Sequence, residues 1–159
     1  MCKFASFFHK PGTDEVAVYN LGSHSDTESA LALDKAIWSE GHYLPDGTLL
    51  ARVSPYSNFS QKECEAVIRA RFPTFIDFLN WAFIQKIDTD GLDLSGLTSA
   101  QGLKLPSTVG GGLDLRGLTS AQGLKLPSTV KGWLYLRGLT SAELAKLNLS
   151  KEFEAKLIR

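Results

Sequence analysis

The sequence predicts an α+β domain over residues 1–90, followed by a short β-solenoid over residues 91–159 built from about three leucine-rich coils and capped by helices at both ends. Three observations carry this expectation. A 21-residue unit repeats after residue 90. The charge balance changes there as well: residues 1–90 hold 8 Lys/Arg against 12 Asp/Glu, and residues 91–159 hold 9 against 5, so a chain of zero net charge has two halves of opposite sign. Ahead of the repeat, apolar periodicity and turn residues follow a ββαββαα order.

In the first half, Cys2 to His9 reads as a strand, with a turn at Pro11-Gly12 and Asp14. Val16 to Tyr19 forms its hairpin partner. Ser25-x-x-Glu28 has capping-box spacing and predicts a helix running to about Glu40, ended by Gly41. His42-Tyr43-Leu44 and Leu49 to Val53 flank the turn residues Pro45-Asp46-Gly47. Ser60-x-x-Glu63 opens another helix, which carries Cys64, Val67 and Ile68 on its core side. Pro73 starts a last helix on which Phe75, Phe78, Leu79, Ala82 and Phe83 share one face. That helix is expected to cover the first coil.

Gly91 to Gly111 and Gly112 to Gly132 differ only at Ser95/Arg116 and Gly110/Lys131, and a third, decaying copy begins at Trp133. Units of this length cannot bury an apolar face alone and must stack. Stacking predicts inner rows Leu92/Leu113/Leu134, Leu94/Leu115/Leu136, Leu97/Leu118/Leu139 and Leu105/Leu126/Leu147. It predicts outer rows Asp93/Asp114/Tyr135, Ser95/Arg116/Arg137 and Lys104/Lys125/Lys146. Thr119-x-x-Gln122 suggests one helical turn ended by Gly123, and helices from Thr140 and Ser150 are expected to close the far end.

Leu126-Pro127-x-x-Val130-x-x-x-Leu134-x-Leu136 is similar to the short bacterial leucine-rich repeat, and more loosely to pentapeptide-like prophage repeats. Leu97, Leu118 and Leu139 stand where the leucine-rich family carries its asparagine ladder. The resemblance implies protein–protein binding. The opening Met-Cys-Lys-Phe, with Ser23-His24-Ser25-Asp26 further on, resembles small phage and prophage proteins. That resemblance implies an accessory factor acting on a host protein, for example an inhibitor of a defence system.

Composition narrows the function classes. No run of about 18 apolar residues predicts a membrane span, and the opening Met-Cys-Lys-Phe-Ala-Ser-Phe-Phe lacks a signal peptide's apolar core. A surplus of four cations in the second half is too sparse for a nucleic-acid stripe. Cys2 and Cys64 make no disulfide framework, so a reducing, cytoplasmic setting is expected. Cys2, His9, His24, His42 and Cys64 have no recognised metal-ligand spacing, and neither metal nor cofactor is expected.

Two site hypotheses follow. Trp133, Tyr135 and Arg137 point outward from the third coil, with Arg116 beside them in the second. Aromatic residues and arginine dominate interface hot spots, so this cluster predicts a protein partner. Self-association through a solenoid end or sheet edge is the other partner expected. The alternative is a thiol-dependent hydrolase or transferase. Removal of Met1 would leave Cys2 with both a thiol and an α-amine of pKa about 7.7–8, supported by His24 and Asp26. Met-Cys is similar to the start of class II glutamine amidotransferases, with Lys3 where that family has glycine. In the structural alternative, Cys2 is a small apolar residue on a strand and His24 and Asp26 are capping and turn residues.

Overall fold

The computed structural model describes residues 6–18, 24–34, 38–44, 46–53, 55, 57–85 and 91–159, without the side chains of His24 and Asp26. The chain divides into two compact units, Met1–Asp88 and Thr89–Arg159.

In the first unit, strand β1 (Ser6–His9) has every residue buried, as expected of a strand covered on both faces. It pairs antiparallel with β2 (Val16–Ala17) on one side and with β3 (Ser39–Tyr43) on the other. β3 in turn pairs with β4 (Leu49–Arg52), giving the sheet order β2-β1-β3-β4. The β3–β4 turn is closed by the Asp46 carboxylate, whose Oδ1 accepts from the Thr48 amide at 2.9 Å. Helix α1 spans His24–Leu31 and stops where Ala32 takes a positive φ of 48°. The expected helix to Glu40 is therefore too long. Residues 39–43 alternate buried and half-buried as a strand requires, and Gly41 lies directly against the Phe7 ring instead of ending a helix.

Helix α2 (Gln61–Arg71) begins at a reciprocal capping box between Ser60 and Glu63, and α3 (Phe75–Ile84) at another between Thr74 and Asp77. α3 buries Phe78 within an aromatic core, with ring centroids 4.9 Å from Phe7, 5.2 Å from Tyr43 and 5.4 Å from Phe72. Tyr43 donates its hydroxyl to the Phe72 carbonyl at 3.3 Å. Burial pushes its pKa up to about 12.

The second unit holds two parallel sheets. Strands β5 (Leu92–Asp93), β7 (Leu113–Asp114) and β9 (Leu134–Tyr135) pair in register 21 residues apart. The other sheet pairs β6 (Thr108–Val109) with β8 (Thr129–Val130). Leu94, Leu113, Leu115, Leu118, Leu134 and Leu136 form the apolar interior. Each strand is only two residues long, because Gly, Pro and Ser/Thr turns interrupt every copy. Helices α4 (Ser141–Ala145) and α5 (Lys151–Lys156) follow, and β10 (Leu157–Ile158) adds a fourth parallel strand beside β9.

The expected α+β domain followed by a helix-capped β-solenoid of leucine-rich coils is therefore corrected. The described residues form a mixed α/β architecture of three small sheets, one antiparallel and two parallel, with five helices. The strands of the second unit stand in two small parallel sheets, and its last strand comes from a segment expected to be helical. Two details within the copies also change. The buried leucines after the turn are Leu103 and Leu124, whereas Leu105, Leu126 and Leu147 are half-buried. Thr119-x-x-Gln122 forms no helix. Gly123, at φ +78°, closes a tight turn in which the Leu124 amide donates to the Ala121 carbonyl. The third copy places Leu144 at the position of Gly123. Leucine resists positive φ, and the chain continues instead as α4 from the Thr140 cap.

Candidate partner-binding face

The second unit's four-stranded sheet has the order β10-β9-β7-β5, with Leu92, Leu113, Leu134 and Leu157 in one cross-strand row. The neighbouring row reads Asp93, Asp114, Tyr135, Ile158. Strand alternation turns this second row to the opposite face.

Asp114, expected on the outer row, is only 9% exposed. Its Oδ1 accepts from the Arg116 amide at 3.1 Å, and its two oxygens take the Arg116 Nε at 3.0 and 2.8 Å. The Arg116 Nη2 completes the pair with Oδ2. This fork-like contact fixes the guanidinium. It lies 5.5 Å from the centroid of the Tyr135 ring, within cation–π range. The structure thus brings Arg116 and Tyr135 together through Asp114, a residue that sequence reasoning left out of the site. The signal for it was present, since an Asp two residues before an Arg on the outer row can close both a backbone turn and an ion pair.

Trp133 sits two positions before Tyr135 and is 53% exposed, and Arg137, two positions after, is exposed. Arg137 is the 21-residue equivalent of Arg116 but has Tyr135 where Arg116 has Asp114. Among the described residues it makes no ion pair. The face therefore presents one braced arginine, one unbraced arginine, a half-buried tyrosine and an exposed tryptophan.

The third copy is tied to the second by Glu143. Its Oε2 accepts from the Ala121 amide at 2.7 Å and from the Ser120 hydroxyl at 3.1 Å, while Lys146 donates to Oε1. Lys146 first, then these donors, hold the carboxyl down to about 2. A carboxylate favoured by folding stabilises the native state above its ordinary range, and that contribution is lost as pH falls toward 2. Glu143→Gln, which restores the residue type of Gln101 and Gln122, is expected to lower the Tm at pH 7. It should also flatten the dependence of Tm on pH between about 4.5 and 2. Thermal melts across that range check both.

For the alternative hypothesis, Cys2 lies outside the described residues. His24 and Asp26 occupy the first turn of α1 with their side chains outside the description. Cys64 is buried on α2, and burial pushes its thiol pKa up, away from a reactive thiolate. His9 is buried, with Nε2 placed 2.9 Å from the Thr13 carbonyl, and burial lowers its pKa. Among the described residues no group of three or more His, Cys, Asp or Glu side chains could hold a metal ion. No helix there is long and apolar enough to cross a membrane.

No family model, curated protein or solved structure matches the chain.

Proposed function

We propose that the chain is a binding protein that engages a protein partner through the face carrying Arg116, Trp133, Tyr135 and Arg137. The observation that carries this reading is the Asp114–Arg116–Tyr135 stack beside the exposed Trp133. Bracing the guanidinium in advance reduces the side-chain entropy lost on association. Tryptophan, tyrosine and arginine are the residue types that dominate hot spots. Arg137 and the cationic surplus of residues 91–159 favour an acidic partner surface. The first unit is proposed to contribute contacts of its own to the same partner. The likeness of the opening residues to phage proteins extends the proposal to an accessory factor, in a reducing cytoplasm, that inhibits a host or defence protein.

The test is parallel affinity capture from host extract with the wild-type chain and with Tyr135→Ala/Arg137→Ala. Circular dichroism checks that both are folded. A partner retained by the wild type and lost by the double variant is the expected result. Equal retention by both excludes this face.

A further inference from the structure

The C-terminal segment after Asn148 is attached to its unit by little. Helix α5 has no buried residue, and Leu157 and Ile158 are only half-buried. Its hold on the sheet is the two-residue pairing of β10 with β9, which includes the Leu136 amide donating to the Ile158 carbonyl at 3.1 Å. A further link runs from the Lys156 ammonium to the Val130 carbonyl at 2.7 Å. Two hollows flank the segment. One of about 270 Å³ lies between α4, Glu154 and Arg159, and the other of about 370 Å³ between Leu124, Leu126, Leu147 and Phe153. Asn148, which joins the segment to α4, has a φ of +45°. That left-handed turn folds the segment back over its own chain.

We infer that residues 149–159 form an exchangeable strap, and that the β9 edge beneath it accepts the same strap from a second copy of this chain. The occupant follows from the contacts already made. Residues 157–158 pair in register with Leu134 and Tyr135, and a second copy offers an identical strand and an identical lysine. Exchange remakes each of these contacts between chains, so the net cost is mainly that of association. It also releases Asn148 from positive φ when the connection extends, a conformation that costs little for asparagine and much for a β-branched residue. The exchange concerns the β9 edge and does not depend on the proposed partner.

Asn148→Ile should shift the chain toward dimer, and Asn148→Gly toward monomer. Light scattering over a concentration series is expected to show a dimerisation constant at least about tenfold tighter for Asn148→Ile than for wild type. Adding Leu157→Asp to Asn148→Ile should return the monomer, since the strap can no longer seat on any copy. A monomeric Asn148→Ile at all concentrations, or a dimer that survives Leu157→Asp, overturns the inference. Amide exchange in the wild type provides a check that needs no variant. The Leu136 amide, bonded to the strap, should exchange at least about tenfold faster than the Leu115 amide, which is bonded to Tyr135. Equal protection would also overturn it.

Discussion

Replacing Phe78 by alanine is expected to cost about 3–5 kcal/mol, the range for truncating a fully buried phenylalanine. Its ring is fully buried and sits among Phe7, Tyr43, Phe72 and Trp81, so no single neighbour can collapse into the space it leaves. A typical domain is stable by about 5–15 kcal/mol, so a loss of this size leaves the first unit marginal. Urea unfolding followed by tryptophan fluorescence measures it. A shift in midpoint worth less than about 1 kcal/mol would mean that the aromatic cluster is not the centre of this core. Phe78→Leu, which retains most of the apolar volume, should lose much less.

The second large effect is expected at Gly117. A Cβ there would lie 2.2 Å from the Ser95 carbonyl oxygen and 2.7 Å from that of Leu97, both backbone atoms of the preceding copy. Gly138 repeats the arrangement one copy later, 2.3 Å from the Leu118 oxygen and 2.5 Å from that of Arg116. A methyl group can be accommodated only by separating two copies along their whole contact. Gly117→Ala should therefore cost about 3 kcal/mol, at the upper end for overpacking. Gly91→Ala is the control, since its nearest neighbour would be the Gly112 oxygen at an ordinary 3.8 Å. It should change stability by less than about 0.5 kcal/mol. Thermal melts of the two variants distinguish a backbone clash from a general intolerance of alanine.

These two positions also show what could be read from residues alone. Phe78 lies on an apolar helical stripe, and local rules of this kind also located the Ser60 cap and the Asp46-Gly47 turn. The 21-residue offset fixed which strands would lie side by side, because identical copies bury their leucines best in register. The offset did not fix the architecture. It could not tell how few residues of each copy would pair as β-structure, or that Leu157–Ile158 would leave a helical pattern to pair with β9. The helix expected to run to about Glu40 ends at Leu31, and tertiary pairing with β1 claims residues 39–43 as a strand.

The candidate face was legible to a similar degree. Tyr135, Trp133 and Arg137 stand out because they break a near-perfect repeat. The Asp114 brace of Arg116 was signalled only by the Asp-x-Arg spacing, and alternation along the strand, which turns Asp114 outward, gave no sign of its burial. Cys2, His24 and Asp26 stand together only by residue type and sequence proximity, and neither dictates a shared geometry.

The most direct test of the binding face is a calorimetric titration of the captured partner into wild-type protein, Tyr135→Ala and Lys125→Ala. A hot spot is worth about 2 kcal/mol or more, so Tyr135→Ala should weaken Kd by about 30-fold or more at unchanged Tm. Lys125→Ala, outside the Arg116–Tyr135 face, should leave Kd within about twofold. Equal affinity for the wild type and Tyr135→Ala would contradict the assignment of this face.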